Sequence, residues 1–146
     1  MSKPAVLVSA CLLGVACNHR GASSPSDATA GLADRHRLMP ICPEVAGGLP
    51  TPRPAAELQP DGRVRTADGT DVTDHYLRGA AAAVDLARAV GATEAVLKAR
   101  SPSCGCHQVY DGTFSRTLVS GAGITALALR AAGLTLRSDE DLAQRE

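Results

Sequence analysis

Tryptophan is absent from this 146-residue chain, and two tyrosines and one phenylalanine are its whole aromatic content. A core assembled from large rings is excluded, so Ala, Val and Leu must fill it. An excess of charge is also lacking: 15 basic and 15 acidic residues give a formal net charge of +0. A polynucleotide binder normally carries a basic surplus, so a small-molecule partner is expected instead. No run approaches the roughly 20 apolar residues that cross a bilayer. The apolar run Ala5 to Ala10 is shorter than the roughly 7–15 residues of a signal-peptide core. The V-S-A-C around Cys11 is therefore read as the end of a buried strand and not as a lipoprotein leader. The expected location is the cytoplasm. No internal repeat or low-complexity tract is present.

What remains is the composition of a globular protein, 45% hydrophobic and 21% charged, at a length suited to one domain over residues 1–146. AVLVSA (Ala5–Ala10) is a continuous apolar run, the mark of a strand covered on both faces. LMPIC (Leu38–Cys42) is a second strand candidate, which Pro40 either weakens or places near a sheet edge. A polar loop separates the two, from Asn18 to Gly31. GGLPTPRP (Gly47–Pro54) is too rich in Gly and Pro for a regular element. Arg63 to Val72 reads as a small exposed hairpin with Asp-Gly turns. Leu77, Ala80, Ala81, Val84 and Ala87 form one helical stripe, with Asp71 or Thr73 as N-cap and Gly91 at the C-terminus. EAVLKA (Glu94–Ala99) follows as a strand. A second stripe, Ile124, Leu127, Ala128 and Ala131, ends at Gly133 before a last strand, Leu134 to Leu136. This order predicts an α/β fold: a Rossmann-like layered domain with a mainly parallel sheet and flanking helices.

Five cysteines without a secretory signal argue for metal binding or catalysis over a disulfide framework. Three of them share one placement. Cys11 ends the first strand, Cys42 ends the second, and Cys104 follows the third after a short RSPS link. In a parallel sheet all carboxyl ends lie along one edge, where α/β folds bind ligands. The three thiols are therefore expected to converge. Such a set suits zinc with an open fourth position, or an iron–sulfur cluster with one iron left free. Spacing alone does not choose between them. Cys17 and Cys106 are expected to be non-ligands, and the four histidines show no paired spacing. Arg53 is read either as an anion or carbonyl contact or as a plain surface salt bridge.

The blocks SACLLG (Ser9–Gly14), CPEVAGGLPTPRPAAE (Cys42–Glu57), LKARSPSCG (Leu97–Gly105) and YDGTFS (Tyr110–Ser115) together resemble the thiouracil desulfurases, a bacterial family first catalogued as domain of unknown function 523. Asn18-His19 and Arg20-Gly21 depart from that pattern, as does Cys106. The resemblance implies a cytoplasmic, non-redox enzyme that replaces C=S by C=O in 2-thiouracil-like bases or nucleosides and releases sulfide. It further implies a 4Fe-4S cluster held by Cys11, Cys42 and Cys104 with one open iron. Glu44 and Ser101 are then the catalytic pair, Glu44 as general base. The rival readings are a zinc-dependent hydrolase on the same thiols, a non-catalytic iron or sulfur carrier, and a thiol redox protein using Cys104 and Cys106.

Overall fold

Five consecutive buried residues, Ala5–Ser9, form strand β1 at the centre of the sheet. The computed structural model describes residues 3–143. Strand β2 (Arg37–Ile41) runs parallel to β1 on one side, in register from Ala5 opposite Arg37 to Ser9 opposite Ile41. On the other side lie β5 (Glu94–Leu97) and then β8 (Thr135–Ser138), both parallel. The order β2-β1-β5-β8 makes β2 an edge strand, which is where Pro40, lacking an amide N–H, is tolerated. The chain leaves β1 to one side and returns on the other, so the topological switch falls between β1 and β5.

Alternation along the strands divides the core into two layers. Leu7, Ala95 and Leu97 pack with Ala83, Ala87 and Leu129. These last three lie on helix α3 (Thr73–Val90) and helix α4 (Ile124–Ala131). Val6, Val8 and Val96 face the opposite side, against Leu12 and Leu142. Leu142 belongs to a short helix α5, Asp139–Ala143. Each fully buried Leu or Val contributes about 1.5–3 kcal/mol, so the sheet is held by aliphatic contact on both faces.

Several local expectations are corrected. The polar loop from Asn18 to Gly31 contains a short helix α1, Asp27–Ala30, whose N-cap Ser26 accepts from the Thr29 amide at 3.2 Å. The strand pair expected between Arg63 and Val72 is present, with Arg65 bridging Asp71 antiparallel around Gly69, and β4 (Val64–Thr66) also pairs with a strand not foreseen, β3 (Ala56–Leu58), through a connection that holds Asp61-Gly62. The stripe of α3 is rotated: Tyr76, Gly79, Ala80, Ala83 and Ala87 are buried, while Leu77 is 51% exposed and Ala81 faces solvent. In α4 the buried residues are Thr125, Ala126 and Leu129, with Leu127 half exposed. Tyr110-Asp111-Gly112 leads from β6 (Gln108–Tyr110) into the turn before β7 (Leu118–Ser120), and the two strands pair antiparallel. No helix among the described residues is long and apolar enough to cross a membrane.

Candidate functional site

The carboxyl ends of β1, β2 and β5 open onto one cavity of about 490 Å³, a usual size for a small-molecule site. Cys11, Cys42, Cys104, Glu44 and Ser101 all line it. Three strand ends thus bring together residues spread from position 11 to position 104.

Cys11 sits in the 3-10 turn Ala10–Leu13 that follows β1. Its carbonyl accepts from the amides of Gly14 and Ser24, which pins the following loop back over the turn. Gly14, at φ 90, closes that turn in a conformation that favours glycine. Cys42 is the N-cap residue of the four-residue helix α2 (Pro43–Ala46), and Pro43 at the first position pre-sets the helical φ. Its sulfur lies 3.6 Å from the carbonyl oxygen of Cys17.

In the first turn of α2, Glu44 reaches an unusually determined position. Its Oε2 accepts from Arg53 Nε at 3.1 Å and from the Tyr76 hydroxyl at 3.0 Å. Its Oε1 makes no hydrogen bond among the described residues, so one oxygen is anchored and the other is left for chemistry. The Arg53 side chain is only 4% exposed, which corrects the reading of a surface salt bridge. The same guanidinium donates to the carbonyls of Cys17 and Pro50 and to Thr51 Oγ1. It therefore fastens the catalytic candidate to the loop carrying Cys17.

Tyr76 is supplied by α3, and burial together with the adjacent Glu44 carboxylate holds its phenol far above the ordinary range. It is a permanent hydrogen-bond donor to that carboxylate. Helices α2 and α3 come close enough for this only because glycines meet backbone. A Cβ on Gly79 would lie 2.0 Å from the Pro43 carbonyl oxygen, and one on Gly47 would lie 1.9 Å from that of His75.

The third thiol is presented by a tight turn. Ser101 Oγ accepts from the amides of Ser103 and Cys104 at 3.1 and 3.0 Å, and the Gly105 amide donates to the Ser101 carbonyl. Fully buried Ser103 hydrogen-bonds Thr125 through their hydroxyls at 2.8 Å, and its carbonyl accepts from the Thr125 and Ala126 amides. The turn is thereby docked on the start of α4. Ser101 accepts twice through its oxygen, which leaves its hydroxyl proton for a bound group.

Burial pushes the Cys104 thiol up to about 12, while the hydroxyls of Ser9 and Ser103 act in the opposite direction. Burial also raises Cys11 to about 11, against the pull of the Lys98 ammonium. Cys17 is driven to about 12 by burial and by the neighbouring Cys42 sulfur. All five cysteines are free thiols. Neutral thiols grouped in one cavity fit a group that replaces their protons, because a metal binds thiolate and expels the proton on binding. Soft thiolate donors select iron–sulfur clusters or zinc over hard oxygen-seeking ions. Hydroxyl donors at Cys104 match what a thiolate bound to iron takes from its surroundings.

Two features escaped the sequence. Cys17 lines the same cavity as the other three thiols, and Tyr76 lines it too. In a chain with two tyrosines, one on a helix face that turns out buried was the available sign, since a buried phenol requires a polar partner. Cys106 lies outside this cavity.

A family model described as 2-thiouracil desulfurase matches residues 6–141. A Bacillus subtilis (strain 168) protein named as the uncharacterized protein YbbK is 38% identical over 146 residues, covering 94% of this chain and 97% of its own length. A solved structure described as a [4Fe-4S]-dependent thiouracil desulfidase, TudS, superposes with a TM-score of 0.90 at 42% identity. That match covers 97% of this chain and 95% of the other.

Proposed function

The chain belongs to the 2-thiouracil desulfurase family, and on that premise we propose that it desulfurates thiolated pyrimidines such as 2-thiouracil with a 4Fe-4S cluster bound by Cys11, Cys42 and Cys104. The observation that carries this reading is the opening of three cysteine-bearing strand ends onto one cavity beside Glu44. Cys17 is left out of the ligand set: it reaches the cavity from a loop, whereas Cys11 and Cys42 stand at the ends of β1 and β2 and Cys104 in the turn after β5. With three thiolates for four irons, the cluster supplies one iron as a Lewis acid toward a thiocarbonyl sulfur.

The rest is done by the protein. Glu44 takes a proton at Oε1 from a water directed at the ring carbon, while Arg53 and Tyr76 keep Oε2 from turning. Ser101 donates its free hydroxyl proton toward the substrate. Water oxygen bonds to carbon, the C–S bond breaks, and sulfur leaves with its electron pair as hydrosulfide. Carbon and oxygen keep their oxidation states, so no electron donor is required. The partner is a small thiolated base or nucleoside, and the whole domain 1–146 acts in the cytoplasm, where thiols stay reduced.

Iron and acid-labile sulfide counted per chain after anaerobic loading test the cofactor. Replacing Cys11, Cys42 or Cys104 by Ser should abolish the cluster, while Cys17→Ser should retain it. Glu44→Gln should keep the cluster and lower kcat by about 10²–10⁴-fold. A Gln variant with an intact cluster and near-normal turnover refutes the assignment of the base.

A further inference from the structure

On the far side of the Cys104 turn, Cys106, His107 and Asp141 bring one sulfur, one ring nitrogen and one carboxylate oxygen within 4.8 Å of one another. We propose that these three side chains form a second metal site, for a single borderline divalent ion such as zinc, separate from the thiol cavity. The site owes nothing to the desulfuration reading and stands on its own geometry.

The donors have the right chemistry. Thiolate, imidazole and carboxylate are the three protein donors zinc accepts, at bonds of about 2.0–2.3 Å. A thiolate and a carboxylate together cancel the charge of a divalent cation, and a neutral imidazole adds none. His107 Nε2 and Asp141 Oδ2 are 2.7 Å apart. Placing an ion between them requires a separation of about 3.3 Å, an adjustment of about half an ångström. His107 is more than half exposed and free to make it.

The carboxylate is already aimed. Asp141 Oδ2 accepts from the Ser138 amide at 2.8 Å, and the Asp141 amide donates to Ser138 Oγ at 3.1 Å, a reciprocal cap at the start of α5. The backbone of Cys106 is held from the other side, its carbonyl accepting from Arg130 Nη2 at 3.1 Å. Cys106 itself is 4% exposed, and its thiol hydrogen-bonds no other residue among those described. It is a buried, unpartnered donor with one exposed donor, His107, and one partly buried donor, Asp141, beside it.

Adjacent space points to an ion and not to a substrate. The small cavity beside them, lined by Cys106, His107, Ser138, Arg100 and Glu140 and not by Asp141, has a volume of about 20 Å³. That admits one water or one ion and no organic molecule. Three protein donors leave a fourth position for that water, so the arrangement is open and four-coordinate.

The test counts metals on the anaerobically prepared, cluster-loaded protein after equilibration with zinc ions in excess magnesium and removal of free metal. One zinc per chain is expected, with the iron count unchanged. Cys106→Ser and His107→Ala should each lose that zinc and keep the iron; the exposed His107 side chain can be removed without disturbing the core. Absence of zinc from the unsubstituted protein overturns the proposal. So does zinc that persists in either variant, or zinc that instead disappears with Cys11→Ser.

Discussion

Gly79→Ala sets two physical effects of opposite sign against each other. Gly79 lies inside the eighteen-residue helix α3, where alanine is normally worth about 1 kcal/mol more than glycine. Here the new methyl carbon would stand 2.0 Å from the Pro43 carbonyl oxygen and 2.7 Å from its carbon. Backbone cannot swing aside as a long side chain does, so α2 must move outward by more than an ångström. Forcing extra volume into such a contact costs about 1–3 kcal/mol. Displacing α2 also draws Glu44 from Tyr76, a hydrogen bond to a charged group worth about 1.5–3 kcal/mol. The steric side prevails by about 1.5–5 kcal/mol, which lowers the midpoint of thermal unfolding by on the order of 10 °C. Ala81→Gly on the exposed face of the same helix provides the scale for propensity alone, a loss of about 1 kcal/mol. Turnover of the cluster-loaded Gly79→Ala protein should fall with the displacement of Glu44. A melting temperature equal to or above that of the unsubstituted protein would refute the argument that helix contact outweighs propensity.

Tyr76→Phe removes one of the two donors to Glu44 Oε2 and leaves the ring packing intact. It should lower kcat by about 10-fold or more with little change in KM, because a misaimed base affects the reacting complex and not the encounter. Steady-state kinetics at matched cluster content checks this; a raised KM with unchanged kcat would make Tyr76 a binding residue. Arg53→Lys keeps the charge and loses the fork that joins Glu44, Thr51 and the Cys17 carbonyl. It should destabilise the protein by about 2–4 kcal/mol in denaturant titration, and unchanged stability would mean that the fork is redundant.

The sheet was legible because continuous apolar runs have a single economical explanation. AVLVSA and EAVLKA form buried parallel strands, and together with the shorter run LMPIC they led to the placement of three cysteines at or just past strand ends. The helix faces were less legible. Four alanines at positions 80–83 carry almost no phase information, so Leu77 and Val84 set the stripe and set it one residue off. The true contact face is made of small residues and one tyrosine, chosen for close approach and not for hydrophobicity. In α4 the buried Thr125 is there to meet the Ser103 hydroxyl, and no hydrophobic period signals a polar partner. Helices α1 and α2, at four residues each, are shorter than any period can reveal. Glu44 and Ser101 entered through the resemblance, and the cooperation of Arg53 and Tyr76 required three dimensions.

The two aliphatic layers on either side of β1 have a consequence for the life of the protein after damage. Most of what resists unfolding is hydrocarbon contact among Val6, Leu7, Val8, Val96 and Leu97, and the cavity proposed to hold the cluster opens at the rim of that scaffold. Oxygen that strips the centre would leave the architecture standing, unlike small domains whose metal is their core. On the proposed function, a molecule that loses its cluster would keep a folded, empty cavity, and supplying iron and sulfide would restore it without refolding.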